Sequence, residues 1–288
     1  MDIKSLKSLI TNKNADLPPR IFLFGQEGIG KTTFGAGAPN PLFICAEDGL
    51  MGLEDSIDRV TPTGFAQLLK VIESLEADQL GYKSIVIDTV DWLERQIHKF
   101  VCTRDNEQNI EAYGYGKGYK VAELELNRLL NGLTALRQKG LCIILLGHAQ
   151  IRTCAPPDAE PFDRWEPKGH KTFVGMIKEW ADVCLFATRD LFRSKVNGVD
   201  RTLDGGRVVK TNWSPAFDAK NRLMLKDILE LSWAAFEADL ASSKLRRTFQ
   251  SLLAKTTKLS PEERATWEKV NPLALSDDKL KAGIEKLK

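Results

Sequence analysis

The stretch RIFLFGQEGIGKTTFG, Arg20 to Gly35, limits the fold of this chain more than any other. A strand-sized apolar run, RIFLF, enters a loop with glycine at 25, 28 and 30, and a helix-forming segment follows. A strand joined to a helix through so tight a loop belongs in a layered α/β sheet. Gly25, Gly28 and Gly30 permit positive φ and close backbone approach, so successive N–H groups can turn inward on an anion. Gly25, four residues, then Gly30, Lys31 and Thr32 complete the phosphate-loop spacing. The expected cradle is Gly25, Gln26, Glu27, Gly28, Ile29, Gly30, Lys31, Thr32 and Thr33. Lys31 is expected to reach the β- and γ-phosphates of ATP and Thr32 to ligate Mg²⁺, with the helix start adding its positive end. A glycine-rich turn that binds nothing is the competing reading; the full spacing after a strand favours phosphate.

Four more strand-sized runs punctuate the chain: PLFICAED (41–48), SIVIDTV (84–90), LCIILLGHAQ (141–150) and ADVCLFATRD (181–190). Between them lie helical patterns. Phe65, Leu68, Leu69, Ile72 and Leu75 recur at helical spacing from about Thr63, and a long helix is expected over 121–139. Asn197-Gly198 marks a hairpin turn. Buried strands alternating with amphipathic helices imply a mostly parallel sheet covered on both faces, with ligands at the carboxyl ends of the strands. The expected organisation is an N-terminal arm over 1–17, an α/β core over 18–226, and a small helical appendage over 227–288. In that last part Ser260 is a plausible N-cap before Pro261.

Composition mainly excludes. At 43% apolar and 28% charged, the 288 residues suit a packed soluble core. The longest apolar candidate, LCIILLG, is strand-sized and too short to span a bilayer. The polar start MDIKSLKSLI does not read as a signal peptide. Five cysteines without paired or metal-type spacing point to a reducing cytoplasm, and three histidines far apart in sequence suggest no ligand cluster. The net charge of +2 says little of partners. Between Arg189 and Lys226, nine Lys/Arg stand against four Asp, either a solvated surface or a face toward an anion.

Hydrolysis needs more than a cradle. Asp88 ends the SIVID run, where its carboxylate would hold Mg²⁺ beside Thr32; Asp91 is a substitute one helix start further on. Glu47, at the end of FICAED, is the candidate water-positioning base, unless Glu47-Asp48-Gly49 is merely an exposed acidic turn. His148 and Gln150 stand at the end of LLGHAQ, where a polar side chain can sense the γ-phosphate.

The order of these pieces resembles the RecA-like phosphate-loop ATPases: loop, acidic residue after the second strand, Walker B strand, polar sensor after the fourth. More narrowly, over roughly 18–226, the chain is similar to the compact ATPases that bacteriophages encode as single-strand annealing recombinases. The layout, GYGKGY and the loop after GHAQ carry that likeness. It implies an ATP-hydrolysing homo-oligomer, ring or filament, acting on single-stranded DNA in the host cytoplasm, without a membrane. A single-strand-binding protein is the further partner considered. AKNR (219–222) resembles a Lys-x-Arg element, which implies that Lys220 and Arg222 reach a neighbour's site as catalytic fingers. Two loops would then hold DNA: 102–120, with Tyr113, Tyr115, Lys117 and Tyr119, and 151–172, with Arg152, Arg164, Trp165, Lys168 and Lys171. Aromatics among glycine and lysine suit base stacking, although both segments are near neutral. The alternative is a nucleotide-driven assembly or packaging ATPase that never touches DNA.

Overall fold

The computed structural model describes residues 17–45, 57–196, 199–257 and 259–287. The strand-sized runs fold as expected into β1 (Arg20–Gly25), β2 (Pro41–Cys45), β4 (Ser84–Asp88), β5 (Cys142–Cys154) and β7 (Val183–Val196), with a short β3 (Asp58–Val60) at one edge. These strands run parallel in the order β3-β2-β4-β5-β1-β7. Beyond β7 the sheet turns antiparallel, through β8 (Val199–Lys210) and β10 (Ile228–Glu230). This is the expected α/β class with a RecA-like layout, the loop-bearing strand flanked by β5 and β7.

Side chains alternating along each strand feed two cores. Phe22 and Phe24 point to one, Ile21 and Leu23 to the other. The first lies under α2 (Phe65–Ala77), α3 (Val90–Asp105), α4 (Lys117–Gln138) and α5 (Lys171–Trp180), where Leu126, Leu129, Leu130, Leu133 and Leu136 form the buried stripe of α4. The second lies under the short α1 (Lys31–Ala36) and the start of α6 (Trp233–Lys255), where Trp233 and Phe236 pack edge-on against Phe34.

Three expectations change. Residues 102–120 are not a loop. α3 continues to Asp105 and stops at Asn106, which takes the left-handed conformation, and a 3₁₀ turn (Ile110–Tyr113) follows, capped by the Asn109 side chain. The glycines of GYGKGY then begin a helix, because Gly118 passes the Ile110 carbonyl where a Cβ would sit 2.2 Å away. Residues 151–172 are mostly a hairpin: β5 overruns the sheet to Cys154 and β6 (Phe162–Pro167) returns along it. The C-terminal part is not helical throughout, since β10 pairs with β8 and buries Leu229. The appendage proper is the second half of α6 with α7 (Pro261–Glu268) and α8 (Asp277–Leu287), closed around Phe249, Leu280 and Ile284. Ser260 caps α7 in a capping box with Glu263. The Asn197-Gly198 pair lies outside the described residues, and Val196 and Val199 on either side are antiparallel partners. Among the described residues no helix is long and apolar enough to cross a membrane.

Candidate functional site

The loop between β1 and α1 opens at the carboxyl edge of the sheet, as the parallel layout requires. Gly28 (φ 69°) and Gly30 (φ 111°) occupy the left-handed region, which only glycine enters cheaply. Gly25 is needed for a different reason: a Cβ there would sit 2.4 Å from the Ala187 carbonyl oxygen of β7. Ile29 is buried and pins the loop to the second core, while Gln26, Glu27 and Gly28 are exposed. The α1 helix that follows is only six residues long, so the loop amides and Lys31 contribute more than a helix dipole. Lys31 is buried and its ammonium donates to the carbonyls of Gly25 (3.0 Å) and Gln26 (2.8 Å), which holds it across the mouth of the loop. Burial lowers its pKa from the ordinary lysine value, opposed by Asp88 and Asp91 nearby.

Asp88, at the end of β4, contacts the phosphate loop. Thr32 Oγ1 donates to Asp88 Oδ2 at 2.9 Å, so the two residues expected to serve Mg²⁺ are already together. Burial raises the Asp88 pKa, while Thr32 and Lys31 oppose the rise. A desolvated carboxylate next to a hydroxyl and an ammonium suits a hard divalent cation, which takes oxygen ligands. Three residues along, Asp91 Oδ1 and Oδ2 each lie 3.0 Å from His148 Nδ1. Burial alone would raise the Asp91 pKa, but the His148 hydrogen bond and charge hold it at about 2. His148, on β5 between the strands of Gly25 and Asp88, is therefore a donor to Asp91. Gln150 turns away and donates to the Pro167 carbonyl (3.2 Å). Glu47 and Asp48 lie outside the described residues.

The family model AAA_24, described as AAA domain, matches residues 17–223, well over half of the 288. The chain belongs to the AAA domain family. It is a nucleotide-binding ATPase domain of phosphate-loop type, and the match covers the whole loop, Asp88 and His148. No curated protein matches in sequence. Among solved structures, the KaiC-like protein PH0186 from the hyperthermophilic archaeon Pyrococcus horikoshii OT3 is similar at 16% identity and a TM-score of 0.37, over 67% of this chain and 79% of that one.

The other candidates of this AAA domain fall into three groups. Tyr113 donates to the Val101 carbonyl and to Asp105, Tyr119 to Glu111, and Arg152 to the Gly169 carbonyl. Arg164 binds Glu166, and Trp165 packs beside Phe186. These five hold local structure. Tyr115, Lys117, Lys168 and Lys171 are exposed. Lys220, on β9 (Lys220–Asn221) against the start of β7, caps the carboxyl end of α5 through the carbonyls of Lys178, Glu179 (3.0 Å) and Ala181 (2.7 Å). Arg222 donates to the Glu179 carbonyl at 3.3 Å. Both lie at the opposite edge of the sheet from the loop, so neither serves its own chain's nucleotide.

Two features escaped the sequence reading. Arg207 of β8 comes within 3.2 Å of where a Gly30 Cβ would stand, an exposed cation beside the phosphate loop. The three histidines, remote in sequence, gather along α3. His148 meets Asp91, the His170 N–H donates to Glu94 (2.9 Å), and His98 lies 4.0 Å from Glu94. Among the described residues no such group is arranged to hold a metal. The Asp91–Glu94 spacing of three, which puts both carboxylates on one helix face, was the available signal.

Proposed function

We propose that this AAA domain is a Mg²⁺-dependent ATPase that acts on single-stranded DNA, in strand annealing or recombination of the kind phages encode. The observation that carries the ATPase part is the Thr32–Asp88 contact beside Lys31 in an open glycine loop. Thr32 and Asp88 would hold Mg²⁺, which neutralises charge on the β- and γ-phosphates when bound. Lys31 exchanges its two loop carbonyls for phosphate oxygens. His148, tied to Asp91, is the better placed sensor of the two candidates.

Support for the DNA part is that the two segments singled out by resemblance meet. Tyr119 of the first stacks on His170, at the end of the second, with centroids 3.8 Å apart and rings 7° from parallel. His148 is also bound to the second through its carbonyl, which accepts from the Lys168 N–H (2.8 Å), so nucleotide edge and hairpin share a backbone contact. A ring or filament in which Arg222 enters a neighbour's site, a cytoplasmic setting in a phage-infected host, and contact with a single-strand-binding protein belong to the same proposal. ATP turnover measured with and without single-stranded DNA, beside a size measurement in each state, tests it. Stimulation with assembly is expected. Turnover that ignores DNA, together with no retention of DNA, would leave the second reading, an assembly or packaging ATPase. That reading is favoured by the five candidate DNA side chains already engaged within the chain.

A further inference from the structure

Arg207 comes to the phosphate loop by a construction of its own. β7 and β8 pair residue for residue as far as Arg189 opposite Arg207, and again from Leu191 opposite Asp204, so Asp190 faces both Gly205 and Gly206. That two-against-one count is a bulge, which bends a strand and re-aims the side chain beside it. Both glycines serve it: Gly206 takes φ 106°, and a Cβ on Gly205 would sit 3.0 Å from the Asp190 carbonyl oxygen. Asp204 fixes the bend by accepting the Gly206 N–H (2.9 Å) and pairing with Arg189. On the other side, the Arg207 carbonyl accepts the Leu231 N–H at 3.0 Å, just past β10. The Arg207 backbone is therefore held from both sides while its side chain is exposed.

That side chain lies along the loop. Its Nη1 is 3.2 Å and its Cδ 4.0 Å from where a Gly30 Cβ would stand, and Leu231 Cδ2 is 3.7 Å from the same point. Gly30 precedes Lys31 in the stretch whose backbone N–H groups cradle the α- and β-phosphates, and the missing Cβ lets a ligand meet that backbone. Arg207 and Leu231 also bound a cavity of about 570 Å³ with Gly205, Gly206 and Glu230, which leaves the guanidinium room to turn onto an entering phosphate. A guanidinium is charged at every working pH, and its planar fork matches two phosphate oxygens at once. Lys31 reaches the β- and γ-phosphates from within the loop. Arg207 comes from β8, at the part of the cradle that ATP and ADP fill alike.

We propose that Arg207 is a phosphate-binding residue of its own chain's nucleotide site, contacting the α- and β-phosphates that ATP and ADP share. This rests on the phosphate-loop reading above. Titration calorimetry of the full chain with ADP and with ATP, each with Mg²⁺, tests it. Arg207→Gln should weaken both nucleotides by the same factor, about tenfold or more, the scale of one charge-assisted pair. In steady-state turnover KM should rise by that factor while kcat stays within about twofold, because binding shared by ground and transition states changes KM alone. Arg207→Lys should recover part of the loss, as a point charge without the fork. Arg207→Met, which keeps the stem, serves with the same expectation as Arg207→Gln if the latter lowers the thermal midpoint. Unchanged affinity for both nucleotides, or a loss for ATP alone, overturns the assignment. So does a fall in kcat with KM unchanged. Lys31→Ala, titrated beside these variants, separates the two readings. If it loses nucleotide while Arg207→Gln keeps it, the Arg207 assignment fails and the phosphate loop stands. If Lys31→Ala binds as tightly as the unsubstituted chain, the phosphate loop itself fails and Arg207 with it.

Discussion

Single residues decide the chemistry here through what burial does to charge. Lys31 is an ammonium held at the mouth of its own loop by two carbonyls, and only phosphate oxygens offer it a better exchange. Lys31→Ala should weaken ATP binding about 100-fold or more, roughly 3 kcal/mol, the scale of charge-assisted hydrogen bonds. Fluorescence titration with a labelled nucleotide checks it, and unchanged affinity would remove the phosphate-loop reading. The His148–Asp91 pair makes a pH prediction. Asp91 titrates at about 2 in the fold against its ordinary 3.8. Its folded pKa is depressed, so its contribution is present above pH ~4 and is lost as pH falls toward ~2. That contribution is roughly 2 kcal/mol. His148→Ala should lower unfolding free energy at neutral pH by about that amount and shift the acid-unfolding limb to higher pH. Denaturant titrations across pH 2–7 measure both, and an unmoved acid limb would show that the pair contributes nothing.

Elements carry the site through a few fixed contacts. Within α6, Arg246 and Asp239 form a buried ion pair 2.5 Å apart, and the pair ties the helix to the segment before β10: Asp239 accepts the Lys226 N–H and Arg246 donates to the Met224 carbonyl, each at 2.8 Å. Asp239→Ala would strand the Arg246 charge and should cost about 3–5 kcal/mol in denaturant unfolding. A cost below 1 kcal/mol would mean that water reaches Arg246. The β5–β6 hairpin and the segment after it expose Lys168 and Lys171. If they touch phosphates, Lys168→Gln with Lys171→Gln should reduce the slope of log affinity for single-stranded DNA against log salt by about 1–2. An unchanged slope assigns those lysines to solvent. Elements were the most legible level of the sequence. Strands 20–25 and 84–88, and the first five residues of β7 (183–187), declare themselves as apolar runs, because a parallel strand buried on both faces leaves little room for polar residues. Segments 102–120 and 151–172 did not. Asn106, Asn109 and Gly118 read as loop residues by composition, yet here they cap and pack helices through contacts that no local pattern encodes.

At the scale of the whole molecule, the sheet separates two charged edges, the loop at one and Lys220 with Arg222 at the other. A finger role for Arg222 therefore requires a second chain. Arg222→Ala should bind ATP nearly normally and hydrolyse it 100-fold or more slowly, the order of effect of a catalytic arginine. Activity per chain should rise with concentration in the unsubstituted protein. Mixing Arg222→Ala with Lys31→Ala chains should restore some turnover, since one mixed interface pairs an intact loop with an intact finger. No restoration from chains that still assemble would return Arg222 to its place at the end of α5. Local covalent pattern was enough to determine the phosphate loop, the α/β alternation and Asp88, because each depends on residues adjacent in the chain or on a single strand's burial. Tertiary structure alone decided that Gly25 faces Ala187, that Arg207 stands beside Gly30, and that histidines 98, 148 and 170 gather on the carboxylates of one helix. The reason is physical. Those relations depend on which strands become neighbours, and strand order is settled by how all the apolar faces are buried together, a sum over the whole chain that no short stretch contains.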